Sequence, residues 1–222
     1  MANRIKEFNK NIKLIVIIRN PLERFKSSYF HKMNNGFCPI MPLNIAVDKI
    51  LLGEISGEYP RAVDILEYGF YGKQLKQYLD IFKENLLILT YDELRKDKME
   101  IIKKCYSFLG VDDAFIPSKL LNSQPGKVNY SLIRAKLIVK MNKHRYVYNE
   151  NKTRLFVKKQ TIWDKIYCYG IHAIDKFILQ LILKNDKPEF TTSIKEKLLE
   201  LYISDIEDVE KMLDLDLSSW KK

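Results

Sequence analysis

Two polar residues near the start of the chain could hold an anion. In the segment LIVIIRNPLERFKSSYF, Arg19 directly follows an apolar run and Ser27 lies further along. A guanidinium makes bidentate, permanently charged contacts to phosphate or sulfate, and a hydroxyl adds a hydrogen-bond donor. A helix start between them would supply backbone N–H groups and partial positive charge. The segment therefore predicts either an oxyanion site or an ordinary junction between a strand and a capped helix that binds nothing.

The elements that must position this site are a strand and a helix. The β-branched run Lys13–Ile18 predicts a strand buried on both faces, as in a parallel sheet. Pro21 suits the first position of a helix, and Asn20 suits its cap. The apolar face of this helix carries residues at spacings of three and four: Leu22, Phe25, Tyr29 and Met33. The opposite face is polar and carries Ser27.

The rest of the chain alternates helices with one more strand. Helical patterns at about 43–52 and 60–82 precede Leu86–Thr90, an apolar run that predicts a second strand. A helix then continues to about Leu109, where Gly110 ends it. Residues 111–160 are predicted to be irregular, and helices at about 171–183 and 191–213 complete the pattern. This order predicts one α/β domain over 1–222, with a short parallel sheet flanked by helices and a helix-rich C-terminal half.

Positive charge is concentrated in two blocks. The chain has 38 Lys+Arg against 28 Asp+Glu, a net charge of +10. Counted by segment, residues 1–50 carry +6 and residues 119–169 carry +10, whereas residues 51–118 and 170–222 each carry −3. Such focusing favours a confined site for an anionic ligand. A lysine-rich composition that decorates solvated helices explains the total equally well.

The sequence offers little support for a membrane span or a metal site. Its best apolar run, Phe177–Leu183, contains Gln180 and is far shorter than the roughly 20 residues that cross a bilayer. Cys38, Cys105 and Cys168 have no spacing typical of a zinc site or of a complete disulfide framework. These features favour a reducing compartment, so we expect a cytoplasmic protein without a bound metal.

The run R-N-P-x-x-R-x-x-S-x-Y, which begins at Arg19, resembles a known motif. It is similar to the 3′-phosphate-binding motif of sulfotransferases that use 3′-phosphoadenosine 5′-phosphosulfate (PAPS). Further segments resemble this family in its order: Gly69-x-Tyr71-x-x-Gln74-Leu75, LLILTYDEL, FLGV ending at Val111, and DIEDVEKMLDLDLSSW. The last is similar to the closing helix of bacterial and heparan-sulfate-like carbohydrate sulfotransferases.

The resemblance implies a fold, a reaction and a set of binding residues. It implies a three-layer fold like that of P-loop NTPases, and transfer of a sulfuryl group from PAPS to a hydroxyl or amine acceptor, a carbohydrate in this branch. Arg19 and Ser27 would hold the 3′-phosphate. The segment 127–131 resembles a late loop that folds over the nucleotide, so Lys127 and Arg134 would contact phosphate or else be solvated surface charges. Loops at 34–60 and 111–165 would select the acceptor, and no nucleic-acid partner is expected.

One feature of the family has no counterpart in this sequence. The family's first strand is followed by a Gly/Lys/Thr loop that cradles the 5′-phosphosulfate, but neither that strand nor a G-x-x-x-x-G-K-[ST] run occurs here. The expectation is therefore an N-terminally incomplete domain with weak or no activity alone, and no catalytic residue is assigned. His31 is either a base or a helix-end residue. A non-catalytic 3′-phosphonucleotide-binding module and, from the pI of about 9.3, a basic nucleic-acid-binding protein remain alternatives.

Overall fold

The structure, a computed structural model, describes residues 1–115 and 128–222. These residues fall into two compact units. Unit 1 contains residues 1–23, 70–115 and 200–222, and unit 2 contains residues 24–69 and 128–199. The single domain over 1–222 therefore stays a prediction. Within the described ranges, no helix is long and apolar enough to cross a membrane, and no group of three or more His, Cys, Asp or Glu side chains could hold a metal ion.

Unit 1 contains a two-stranded parallel sheet. Strand β1 is Leu14–Ile18 and strand β2 is Leu86–Thr90, paired in register from Leu14 opposite Leu86 to Ile18 opposite Thr90. Both strands lie where the sequence predicts them, and their parallel pairing is confirmed. The helices of this unit are Ala2–Phe8, Tyr71–Phe82, Tyr91–Lys96 and Lys98–Leu109, with short 3₁₀ turns at Lys83–Asn85 and Ser218–Lys221.

One prediction about β1 is wrong. The side chains of Ile15 and Ile17 are 38% and 48% exposed, whereas Ile18 is buried. Successive side chains of a strand point to opposite faces, so one face of β1 meets solvent and the other meets the core. A β-branched run predicts burial on both faces because helices usually cover both sides of a parallel sheet.

The helix Tyr71–Phe82 is capped by a side chain that is distant in sequence. The Asp205 carboxylate accepts hydrogen bonds from the backbone N–H groups of Gly72 at 2.9 Å and Lys73 at 3.3 Å. A Cβ at position 72 would lie 2.9 Å from Asp205 Oδ1, closer than real Cβ atoms approach an oxygen. Glycine at this position therefore allows the carboxylate to reach the helix start.

Unit 2 consists mostly of helices. They are Leu43–Leu51, Val63–Glu67, Leu132–Arg145, Ile162–Ile174, a π-helical stretch Asp175–Leu179, and Gln180–Ile182, with a 3₁₀ turn at Pro60–Ala62. Strands β3, Tyr146–Tyr148, and β4, Leu155–Val157, form an antiparallel hairpin. Two further helices, Pro21–Asn34 and Thr192–Leu213, include residues of both units.

Two sequence expectations for unit 2 are wrong. Residues 111–160 are not irregular throughout, because they include the helix Leu132–Arg145 and the β3–β4 hairpin. The helix expected at 171–183 begins already at Ile162, where the Thr161 hydroxyl and the Asp164 carboxylate form a capping box. The helix-rich C-terminal half is confirmed within the described residues.

The apolar face predicted for the helix Pro21–Asn34 is buried. Phe25, Tyr29 and Met33 are each 0% exposed within unit 2. The Phe25 ring meets the Phe190 ring edge-on at a centroid distance of 6.3 Å. Burial of apolar surface, at about 25 cal/mol per Å², fixes the rotation of this helix and leaves its other face for polar residues.

Candidate functional site

The carboxyl ends of β1 and β2 meet at one edge of the sheet of unit 1. Arg19 follows β1 and Tyr91 follows β2, and the preceding residues Ile18 and Thr90 are paired. The Arg19 guanidinium carbon lies 4.7 Å from the centre of the Tyr91 ring. A guanidinium stacked on an aromatic face is held in place while its in-plane N–H donors remain able to bind an oxyanion.

Two polar contacts hold Arg19 in position. Its backbone N–H donates to the Tyr71 hydroxyl at 3.3 Å, and its Nη2 lies 3.2 Å from Glu23 Oε2. The Arg19 side chain is 27% exposed. Within the described part of the chain, no hydrogen bond uses its Nε or Nη1 groups. An incoming oxyanion could therefore bind these donors while Glu23 keeps Nη2.

The helix after Arg19 is capped as predicted. Asn20 Oδ1 accepts from the backbone N–H groups of Leu22 at 2.9 Å and Glu23 at 3.4 Å. An N-cap side chain satisfies donors that would otherwise lack partners. Because these two N–H groups are already bound, anion binding at this edge depends mainly on the Arg19 side chain and less on the helix terminus.

Ser27 lies on the helix Pro21–Asn34 within unit 2, and its side chain is half-buried. Across residues 1–115 and 128–222, the structure records no side-chain hydrogen bond for it. Its neighbour Lys26 is buried, with Nζ 2.6 Å from Glu189 Oε2 and 4.9 Å from the centre of the Phe190 ring. The Lys26 charge is thus compensated inside unit 2, while the Ser27 hydroxyl keeps its hydrogen-bonding capacity.

The structure gives Arg134 an internal partner. Its Nε lies 2.6 Å from Asp175 Oδ1 and its Nη2 lies 3.0 Å from Oδ2 of the same carboxylate, with both side chains about one-tenth exposed. The Arg134 guanidinium holds the pKa of the Asp175 carboxyl below its ordinary value. A phosphate contact by Arg134 therefore stays a prediction, and it would have to compete with this pair. Lys127 lies outside the described residues.

His31, which could be a base or a helix-end residue, is exposed near the end of its helix. Its Nε2 lies 3.3 Å from Asn35 Nδ2, one turn further along. A general base is activated by a carboxylate or by another group that fixes its tautomer. The recorded contact with an amide one turn away is typical of a helix-end residue.

Tyr71 and Tyr91 are the site residues that sequence reasoning missed. Tyr71 shares a predicted helical face with Tyr78, a pattern that favours a core role, yet the Tyr71 hydroxyl accepts the Arg19 backbone hydrogen bond. For Tyr91 a usable signal was present, since it is the first residue after a predicted parallel strand. The carboxyl ends of adjacent parallel strands share an edge, so this position could have been paired with Arg19.

A cavity in unit 2 is lined by residues from segments predicted to select the acceptor. Its volume is about 450 Å³, and its lining includes Cys38, Tyr59, Lys143, Tyr148 and Lys152. Burial raises the pKa of the Cys38 thiol to about 12, so this cysteine is a neutral thiol at physiological pH. The cavity combines aromatic surface with two ammonium groups and suits a polar, hydroxyl-bearing molecule.

Over most of its length the chain is similar to known sulfotransferases. A family profile described as a sulfotransferase domain matches residues 4–215. Sulfotransferase 2A6 of Mus musculus is 26% identical over 172 residues, and Sulfotransferase 2A2 of Rattus norvegicus is 27% identical over 173 residues. Each alignment covers 72% of this chain and 56% of the relative, so the chain spans about half the length of these proteins.

A solved structure has the same fold. The crystal structure of a sulfotransferase from Alicyclobacillus acidocaldarius matches 100% of this chain and 62% of its own, with a TM-score of 0.61 and 18% identity. The α/β prediction, with a short parallel sheet flanked by helices, is thereby confirmed. Because the family profile covers nearly the whole chain, the resemblance first noted in the run beginning at Arg19 is also confirmed: the chain belongs to the sulfotransferase family.

Proposed function

We propose that this chain binds the 3′-phosphate of PAPS and forms part of a sulfotransferase that acts on a hydroxyl or amine acceptor. The observation that carries the proposal is the placement of Arg19. It lies in the run that resembles the family's 3′-phosphate-binding motif, at the carboxyl edge of a parallel sheet and over the Tyr91 ring. Ligands of open α/β sheets bind beyond the carboxyl ends of the strands.

The two motif residues have distinct roles in this proposal. Arg19 supplies a permanent charge and in-plane N–H donors to the 3′-phosphate, which distinguishes PAPS from nucleotides that lack this group. Ser27 supplies a hydroxyl donor on the helix that continues the same motif. Both residues bind and orient the donor without entering the transfer step.

In the proposed transfer step, one bond to sulfur forms, one bond to sulfur breaks and one proton is transferred. The acceptor oxygen or nitrogen forms a bond to sulfur, the bond between sulfur and the 5′-phosphate oxygen breaks, and 3′-phosphoadenosine 5′-phosphate leaves with the electron pair. The proton of the acceptor passes to a base. A cation near the bridging oxygen would stabilise the developing charge. The sequence contains no Gly-Lys-Ser/Thr loop for this cation, so we expect this chain to bind the nucleotide and to transfer sulfate poorly.

The acceptor is proposed to be a carbohydrate that enters the cavity of unit 2. Tyr59 and Tyr148 supply aromatic surface there, and Lys143 and Lys152 supply ammonium donors to hydroxyl or acidic groups. Few polar groups at defined positions within a partly apolar cavity are typical of small-molecule sites. The segments that form the cavity are those that the resemblance assigns to acceptor selection.

Calorimetry with 3′-phosphoadenosine 5′-phosphate tests the nucleotide site. We expect binding by the unmodified chain and, because a charged hydrogen-bonded pair is worth about 1.5–3 kcal/mol, a loss of about tenfold to a hundredfold in Arg19→Ala. Adenosine 5′-phosphate, which lacks the 3′-phosphate, should bind weakly and equally to both proteins. Ser27→Ala should show a smaller loss of affinity for the 3′-phosphorylated nucleotide.

Arg4→Ala provides a matched control. Arg4 is exposed on the helix Ala2–Phe8 of unit 1, and its replacement removes the same charge. This variant should bind the nucleotide as the unmodified chain does. Equal nucleotide affinity in the Arg19 and Arg4 variants would contradict the proposed phosphate contact of Arg19. Rapid sulfate transfer by this chain would contradict the expectation that it transfers sulfate poorly.

A further inference from the structure

Many large apolar side chains of the helical stretch from Ile162 to Ile182 face solvent, unlike those of a core helix. It comprises the helix Ile162–Ile174, the π-helical Asp175–Leu179 and the turn Gln180–Ile182, all within unit 2. The residues that are not exposed follow one narrow stripe at spacings of three and four: 164, 168, 171, 175 and 179. This stripe contains both aspartates of the stretch.

Both aspartates are hydrogen-bonded to side chains inside unit 2. Asp164 Oδ1 lies 2.7 Å from His144 Nδ1, and Asp175 forms the bidentate pair with Arg134. Both carboxyls have their pKa held below the ordinary value, mainly by the hydrogen bonds with His144 and Arg134. The stretch therefore presents no acidic side chain to solvent.

Large apolar side chains occupy the solvent-facing side. Trp163 is 75% exposed, Ile166 55%, Phe177 64% and Leu181 80%. Single exposed apolar residues are ordinary, but a continuous stripe along about 20 helical residues indicates a binding surface. Trp163 and Tyr169, each with an apolar body and a polar tip, are residue types that favour the boundary between water and lipid.

Exposed lysines accompany the exposed apolar side chains of this stretch. Lys159, Lys165, Lys176 and Lys184 are all exposed, and between residues 158 and 186 only Asp186 is an exposed acid. The exposed surface of the stretch thus combines apolar and cationic groups. This combination distinguishes a helix that lies on an anionic bilayer from one that packs in a protein core.

We propose that the stretch Ile162–Ile182 docks on the surface of an anionic lipid bilayer, with its apolar side chains inserted at the headgroup boundary. A second copy of this chain is a poorer occupant, because it would bring a lysine-rich surface against another lysine-rich surface. The stretch would lie in the interface plane, since no described helix is able to cross a membrane. The proposal is independent of the nucleotide site.

The two tryptophans of the chain provide a direct measurement. Trp163 is 75% exposed and Trp220 is 2% exposed, so only Trp163 can change its environment by surface docking. We expect vesicles of phosphatidylcholine with about one-third phosphatidylglycerol to shift the tryptophan emission to the blue. Vesicles of phosphatidylcholine alone should shift it much less. The Trp163→Phe variant should co-sediment with the anionic vesicles but show no shift.

Variants separate the apolar and cationic contributions. Trp163→Ser combined with Phe177→Ser, and separately Lys165→Glu combined with Lys176→Glu, should each reduce the fraction bound to anionic vesicles by tenfold or more. Leu52→Ser is the matched control, since Leu52 is 71% exposed in unit 2 and should leave vesicle binding unchanged. All of these positions are exposed, and circular dichroism checks that each variant is folded.

Two results would overturn the proposal. The first is no co-sedimentation of the folded chain with anionic vesicles at low salt. The second is self-association of the chain in sedimentation velocity runs, if the Trp163→Ser and Phe177→Ser changes abolish it while vesicle binding is unaffected. The surface would then be an interface between copies of this chain. Loss of nucleotide binding in Arg19→Ala would leave the vesicle result unchanged.

Discussion

Replacing Arg134 by Met removes the cation of a bidentate, largely buried ion pair in unit 2. The change removes a guanidinium that makes two hydrogen bonds, at 2.6 and 3.0 Å, to Asp175. Methionine retains much of the aliphatic volume, so packing changes little. The Asp175 carboxylate, about one-tenth exposed, would be left without its cation.

The expected loss in the free energy of unfolding follows from this geometry. Removing one partner of a buried pair costs about 3–5 kcal/mol, because the remaining charge is desolvated without compensation. Here the Gln180 side-chain amide still donates to Asp175 Oδ2 at 3.0 Å. We therefore expect the lower end of that range, about 3 kcal/mol.

Urea denaturation followed by circular dichroism measures the effect. The single variants Arg134→Met and Asp175→Leu should both be destabilised, whereas the double variant should lie within about 1 kcal/mol of the unmodified chain because no charge is left unpaired. Nucleotide affinity of the unmodified chain and of the double variant, measured under folding conditions, shows separately whether Arg134 also contacts phosphate.

Two outcomes would refute this reasoning. If Arg134→Met loses less than about 1 kcal/mol, the pair is too well solvated to matter. If the losses of the two single variants simply add in the double variant, the residues act independently and the bidentate contact contributes no coupling. A double variant that is stable but binds nucleotide poorly would instead support the phosphate contact predicted for Arg134.

Two further predictions concern the carboxylates of Asp205 and Asp175. Asp205→Ala removes the acceptor for the first N–H groups of the helix Tyr71–Phe82 and should lower the free energy of unfolding by about 1 kcal/mol in thermal or urea unfolding. Asp205→Asn should cost less. Equal stability of the unmodified chain and both variants would contradict the capping role. The Arg134 guanidinium holds the pKa of Asp175 below its usual value of 3.8. The stability that this carboxylate contributes is therefore present above about pH 4 and is lost as the pH falls further. Asp175→Asn should make the free energy of unfolding depend less on pH in the acid range.

The parts of the site that depend on local pattern were predictable. The apolar runs that became β1 and β2, the Asn20 cap and the buried face containing Phe25 and Tyr29 all follow from spacing and residue type. Gly110 also ends its helix in the left-handed conformation, with φ of 77°, where glycine is favoured. These features are encoded within a few residues of where they act.

The parts that depend on distant partners were not predictable. The helix Leu132–Arg145 buries Arg134 and Asn142 on its inner face, so its pattern lacks the apolar stripe that identifies a helix in a sequence. Burial of Arg134 becomes favourable only because Asp175 meets it, and no local rule pairs two residues so far apart in the chain. The exposed face of β1 likewise depends on what covers the sheet and not on the strand itself.

The composition of unit 1 has a consequence for how the protein folds during its synthesis. Its three stretches are separated along the chain, and the third includes buried Trp220, whose indole N–H donates to Asp92 Oδ2 at 2.8 Å. A ribosome would have released β1, Arg19 and β2 long before this tryptophan emerged. The edge that carries Arg19 would therefore remain incompletely packed until residues 200–222 had emerged, and chaperones would meet it in that state.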